Sequence, residues 1–288
     1  MMASKNNSQF KEFLRAFFGR GWIVKICMVV IVLLILAAVL APVLTPYSPE
    51  KISLTEKLRP PSAEHLLGTD HLGRDVFTRL LYGASISLLC SVLSCLIALV
   101  IGLFFGLIAG YYQGIVSQTI MRVTDAQLSI PPLILTMVLA SLMGGGVRGV
   151  SIVIGISVVP TYVRMINSLV ISLKEGDYVV AARLVGQNGA KILWKHLLPN
   201  CIPSLIVLFT MNLGTAIMLE ASMSFLGVGI AAPTPSWGGM VSEGYNYLIA
   251  NPLLALLPGF CVMVTVVAFN IVGDALRDAL DPRLRGKL

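Results

Sequence analysis

The residues of this chain that could do chemistry are few, and they do not converge. The three histidines, His65, His71 and His196, stand in polar stretches between apolar runs, and none belongs to an H-E-x-x-H pair. A metalloprotease or a Ser–His relay needs such a histidine at the reacting centre, so neither is indicated. No G-x-x-x-x-G-K-[ST] loop is present. The chain therefore carries no phosphate cradle, and no nucleotide hydrolysis is expected of it. Cys27, Cys90, Cys95, Cys201 and Cys261 form no C-x-x-C pair and read as small apolar packing residues. His65 and His71 share one loop, where a metal-entry role competes with the plainer reading of surface polar residues.

Ionisable residues stranded among apolar ones are more informative, because a charge in lipid is costly unless paired or wet. Glu220 stands alone in Leu219-Glu220-Ala221-Ser222. It either faces a polar path or lies near the membrane edge. Arg164 is set to snorkel to the cytoplasmic side. Arg122 and Asp125 are spaced to pair on one helix face. Asn212 and Asn270 are expected chiefly to hydrogen-bond between helices.

These residues must be positioned by elements suited to lipid. The chain has 288 residues, 56% hydrophobic and 12% charged, against about 25% charged in ordinary soluble domains. The net charge of +7 is spread over short loops and tails. No basic face with interleaved aromatics is formed, so nucleic acid is not an expected partner. Apolar runs predict six spans, at 26–44, 84–110, 118–143, 150–173, 201–225 and 252–272. The first is too long for the apolar core of a cleaved signal and reads as a retained anchor. The triple glycine 144–146 supplies a reversal, and Gly102, Gly106 and Gly110 give a small-xxx-small face for close helix packing. A secondary transporter would call for inverted repeats, and no internal repeat is found.

Six spans put both termini on one side. That side collects Lys5, Lys11, Arg15, Arg20, Lys25, Arg122, Lys174, Arg183, Lys191, Lys195, Arg277, Arg283, Arg285 and Lys287. The other holds Lys51, Lys57, Arg59, Arg74, Arg79 and Arg148. The richer side is expected to be cytoplasmic. The organisation is then a tail over 1–25 and a transmembrane domain over 26–288, with outer loops at 45–80 and 226–251 and a cytoplasmic loop at 174–199. A further interfacial helix is expected around Val76–Leu81 from its apolar spacing.

In the cytoplasmic loop, Asp177 can cap a helix start. Val179, Val180, Leu184 and Val185 make an apolar stripe, and Ala181, Ala182 and Gly186 a smooth patch. Gly186 and Gly189 should break the helix. Such an element suits docking into another protein's groove, with an ordinary interfacial helix as the alternative.

Here the chain resembles the permeases of ABC importers that use a substrate-binding protein. Their cytoplasmic loop reads E-A-A, three residues, G, and further on I-x-L-P; this chain has Val180-Ala181-Ala182, Gly186 and His196-Leu197-Leu198-Pro199, with Val180 in the glutamate's place. The stretches His65-Leu-Leu-Gly-Thr-Asp-His-Leu-Gly-Arg-Asp75, Glu220-Ala-Ser-Met-Ser-Phe-Leu-Gly-Val-Gly229, Pro233-Thr-Pro-Ser-Trp-Gly238 and Ala268-Phe-Asn-Ile-Val-Gly-Asp-Ala-Leu-Arg-Asp-Ala-Leu-Asp-Pro-Arg283 resemble the "C"-type permease of the dipeptide/oligopeptide/nickel branch.

The resemblance implies an all-α membrane protein of type I ABC importer permease fold, with six transmembrane helices and cytoplasmic termini, in a bacterial inner membrane. It implies no enzymatic activity and no cofactor on this chain, ATP and Mg residing on partner ATPase subunits. The implied partners are a second homologous permease, two ATPase subunits, an extracytoplasmic substrate-binding protein and the lipid bilayer. The segment 178–189 would be the coupling helix, with Tyr178, Val180, Ala181, Ala182, Gly186 and Pro199 as ATPase-coupling positions. Asn212, Glu220, Ser222 and Ser224 are the candidate pathway positions. The implied cargo is di- or oligopeptides, with nickel or metal chelates as the alternative.

Overall fold

Without water to satisfy backbone N–H and C=O groups, an apolar chain in lipid closes its hydrogen bonds within helices. The computed structural model, which describes residues 21–280 with Phe17 and Gly19, is helical accordingly. In chain order the helices are α1 (Trp22–Leu44), α2 (Val76–Tyr111), α3 (Ile115–Leu128), α4 (Pro132–Met143), α5 (Gly146–Leu173), α6 (Asp177–Leu184), α7 (Gly189–Phe225), α8 (Trp237–Tyr245) and α9 (Leu253–Leu280). α1, α2, α5, α7 and α9 are each long and apolar enough to cross a membrane. The basic residues Lys5, Lys11, Arg15, Arg20, Arg283, Arg285 and Lys287 lie outside the described residues, as does the end of the last motif at 281–283.

Three expectations are corrected. The span expected over 118–143 is two helices, α3 and α4, bent by 93°. Its cause is Pro131-Pro132: neither ring nitrogen can donate, and each proline pushes the residue before it out of the helical region. Second, the interfacial helix expected near Val76 is the first turn of α2 itself. Asp75 starts it by accepting from the Thr78 N–H at 2.7 Å. Third, α7 begins at Gly189 rather than near 201, running through a π-helical turn at Leu193–Leu197. His196 therefore stands on a helix, and Gly189 opens a helix instead of breaking one.

The reversal at 144–146 occurs as expected, with φ of +79° at Gly144 and +88° at Gly146. So does the close approach at Gly102, Gly106 and Gly110, which lie against Tyr162, Ile166 and Val170 of α5. A Cβ at Gly106 would sit 2.7 Å from Ile166 Cβ, and one at Gly110 2.6 Å from Val170 Cβ. α2 and α5 are the most extensively packed pair in the bundle. Cys27, Cys90, Cys95 and Cys201 are buried free thiols and Cys261 is half-buried, in line with packing roles.

Arg164 does not snorkel, and Asp125 does not turn to Arg122. The two reach each other across α3 and α5, Arg164 Nη2 to Asp125 Oδ1 at 2.6 Å. One turn away, Pro160 interrupts α5 and deprives the Ile156 carbonyl of its usual donor. Gln127 Nε2 from α3 donates to that carbonyl at 2.7 Å.

Candidate coupling surface and polar centres

α6 sits at the end of the bundle where α2 finishes and α5 and α7 meet. Its N-cap is Gly176, with Asp177 one position inside, so the expected Asp177 cap is not formed. After Val185 the chain turns through Gly186 at φ +78°, a conformation that suits glycine and stops the helix as expected. α6 is fastened from several sides. The Lys174 ammonium donates to the Gly110 carbonyl at 3.3 Å, and Arg183 lies 5.7 Å from the Tyr111 ring centroid. His196 Nε2 and Gln187 Oε1 are 3.0 Å apart, and the Tyr178 and His196 rings are 6.4 Å apart.

The faces of α6 divide differently from the expected stripe and patch. Val179 and Ala182 point inward and are buried. Tyr178, Val180, Ala181, Leu184 and Val185 are exposed, Leu184 and Val185 above 80%. The outward surface thus mixes members of both groups, because a helical turn sets every third or fourth residue against the bundle. Gly186 and Pro199 are exposed as well.

A second centre surrounds Glu220, which is 0% exposed. Ser87 of α2 donates to its Oε2 at 2.9 Å, and Ser224 of α7 to its Oε1 at 2.8 Å. The same hydroxyls accept from the backbone beyond: Trp237 N–H reaches Ser87 Oγ at 3.3 Å, and Ile230 N–H reaches Ser224 Oγ at 3.0 Å. One carboxyl group thereby ties α2, α7 and the start of α8. Of the four candidate pathway residues, Asn212, Glu220 and Ser224 are buried in the chain. Ser222 alone borders an open groove, of about 550 Å³ between α4, α7, α8 and α9. Asn212 donates to the Leu208 carbonyl at 2.9 Å.

A third centre, at the opposite end from α6, was not foreseen. Arg74 and Arg79 are each 2% exposed. Arg74 holds Asp70 at 2.6 Å and Glu243 of α8 at 2.6 Å; Arg79 reaches Glu243 at 3.0 Å. His65 Nδ1 lies 2.9 Å from Asp75 Oδ1, so His65 is an interior anchor of this loop. Donor atoms of Asp70, His71 and Glu243 fall within 4.8 Å of one another. Both carboxylates already serve guanidinium groups, and a divalent cation among two arginines would be repelled. The only hint in the sequence was the dense alternation of charge and glycine in Gly68-Thr-Asp-His-Leu-Gly-Arg-Asp75; the long-range partner Glu243 left no local sign.

Residues 102–286 match the family model described as binding-protein-dependent transport system inner membrane component, and residues 8–61 the N-terminal TM domain of oligopeptide transport permease C. The chain is 42% identical over 269 residues to the nickel transport system permease protein NikC of Escherichia coli (strain K12), covering 93% of this chain and 97% of that one. It is 40% identical over 258 residues to the dipeptide transport system permease protein DppC of Alkalihalophilus pseudofirmus, covering 90% and 85%. It is 39% identical over 257 residues to the glutathione transport system permease protein GsiD of Escherichia coli O157:H7, covering 89% and 85%. Among solved structures, an inward-facing MetNI methionine ABC transporter aligns with TM-score 0.58 and 20% identity, covering 70% of this chain and 96% of that chain. That likeness shows the fold, the type I importer permease fold.

Proposed function

We propose that this chain, which belongs to the binding-protein-dependent transport system inner membrane component family, is the membrane-spanning permease subunit of an ATP-driven importer of di- or oligopeptides. The observation that carries the coupling part of this reading is α6. It is firmly held on its inner side, continues from α5 through a few residues, and offers an exposed apolar outer face. A separate ATPase subunit seated on Tyr178, Val180, Ala181 and Gly186 would move α6, with Ala182 and Pro199 supporting it from behind and beside. Rigid α5 and α7 would carry that movement into the spans, switching the path between outward and inward access.

The assembly comprises a second homologous permease, two ATPase subunits and a substrate-binding protein, in a bacterial inner membrane. The α6 end faces the cytoplasm, and so do the tail at 1–25 and the end of the 26–288 domain. Ser222 borders the path through its groove, while Asn212, Glu220 and Ser224 brace the wall behind it.

Peptide cargo is supported by the match at 8–61 to an oligopeptide permease domain and by the two peptide-type relatives. The arginine-compensated state of the Asp70, His71 and Glu243 group argues in the same direction. Nickel import is the second reading, favoured by the 42% identity to NikC. Uptake of labelled dipeptide and of labelled nickel, in cells lacking this chain and with it restored, decides between them. Dipeptide uptake is expected to return with the chain while nickel uptake stays unchanged; the reverse result would move the assignment to nickel.

A further inference from the structure

The Arg164–Asp125 pair is out of place for a surface facing lipid. From Leu173 back to Arg164 is about 14 Å along α5, and from Ile115 to Asp125 about 15 Å along α3, at 1.5 Å per residue. Both distances run from the end of the bundle that carries α6, so the two residues sit at one depth, Arg164 in a helix long enough to cross a ~30 Å hydrocarbon core. Their side chains are nevertheless 53% and 44% exposed. Polarity continues along both helices. Thr161, Ser168 and Ser172 are exposed in line with Arg164 at helical spacing, and Gln118, Arg122 and Ser129 are exposed along the Asp125 side of α3. Faces turned to lipid look different in this chain: α2 shows Val100 at 64% and Phe104 at 58% exposed. A polar stripe at membrane depth is tolerated where it lines a water-filled cavity.

The pair also has capacity to spare. Arginine carries five N–H donors in a planar fork, and here one Nη2 contact to Asp125 Oδ1 is made. The rest of the fork makes no hydrogen bond among the described residues. A guanidinium oriented by one carboxylate and open on its other edge is suited to a second, incoming carboxylate. Gln127 keeps the wall in register by stitching α3 to α5 at Pro160.

We propose that the polar face shared by α3 and α5 is a wetted wall of the translocation path, and that Arg164 receives the carboxylate end of a zwitterionic peptide while Asp125 attracts its ammonium end. This site rests on the peptide-import reading given above.

Two measurements on the assembled importer test it. The first is the rate at which a membrane-impermeant, positively charged methanethiosulfonate modifies Ser168→Cys and, separately, Phe104→Cys. Four of the five cysteines of this chain are buried, and the rate of the unaltered importer is subtracted as background. Ser168→Cys is expected to react at least ten-fold faster, and to be slowed by dipeptide with its binding protein. Equal, slow rates overturn the wetted wall. The second is dipeptide uptake by Arg164→Met with Asp125→Leu, which removes the pair without stranding either charge. Uptake is expected to fall at least ten-fold while the complex assembles and hydrolyses ATP. Uptake within two-fold of the unaltered importer overturns the carboxylate site, and so does loss of ATP hydrolysis together with uptake, which would mark the pair as structural. If the unaltered importer carries nickel and not dipeptide, the peptide reading and the carboxylate site fall together, and the thiol rates decide the wetted wall independently.

Discussion

At Glu220 a carboxyl group is held in the interior by two serine hydroxyls, and each hydroxyl also accepts a backbone N–H. The residue was conspicuous in the sequence as a lone acid among apolar neighbours. Ser224, one turn on along the same helix, could be named beside it, but Ser87 reaches it from a helix remote in the chain and hydroxyls are common in spans. Gln127 makes the same point from the other direction. Nothing in its local spacing marks it, and its importance comes from a carbonyl that Pro160 left without a donor. This yields a residue-level prediction. Gln127→Leu leaves the part-buried Ile156 carbonyl unpaired and should lower stability by about 1 kcal/mol. In a Pro160→Ala background the N–H at 160 returns to that carbonyl, and the same Gln127→Leu change should become nearly silent. Thermal unfolding of the four variants in detergent gives the double-mutant cycle. Equal losses in both backgrounds would mean that Gln127 acts elsewhere.

The long helices were legible because length and apolarity suffice to define a span, and the glycine ladder on α2 foretold its docking on α5. What escaped is where the chain departs from a straight span. The Pro131-Pro132 break fell inside a stretch that reads as one span, although Arg122, Asp125 and Gln127 make its first half polar, and the start of α7 was hidden by glycine at 189, which reads as a breaker but here follows an Asn188 cap that accepts from Lys191 N–H at 2.8 Å. For α6, the sequence correctly offered a short amphipathic element but could not say which alanine faces out. The structure separates Ala181, exposed, from Ala182, buried. Ala181→Arg should therefore leave the amount of chain in the membrane unchanged while dipeptide uptake falls at least ten-fold. Ala182→Arg forces a charge into the packed side and should lower the amount of folded chain, by a penalty on the order of several kcal/mol for an unpaired buried charge. Immunodetection of the membrane fraction beside uptake reads both. Ala181→Arg with full uptake would remove α6 as the coupling surface.

Across the whole molecule the two ends differ in how their charges are used. At the end opposite α6, Arg59, Arg74 and Arg79 are bound to Glu56, Asp70 and Glu243, and His65 lies against Asp75. These cations are compensated within the fold. At the α6 end, Arg183, Lys191 and Lys195 are exposed, with Arg277 at the end of α9. Of the cations that would count against the bias visible in the sequence, Arg59, Arg74 and Arg79 are held in ion pairs, while Lys51, Lys57 and Arg148 stay exposed. Loops rich in uncompensated Lys and Arg stay in the cytoplasm. The orientation that follows can be checked with two exposed positions at opposite ends, Ile249, fully exposed between α8 and α9, and Val185, 81% exposed after α6. In intact spheroplasts an impermeant maleimide should label Ile249→Cys and leave Val185→Cys unlabelled until the membrane is permeabilised. The opposite pattern would turn the molecule over, remove α6 from reach of any cytoplasmic ATPase, and with it the coupling mechanism that its exposed face suggests.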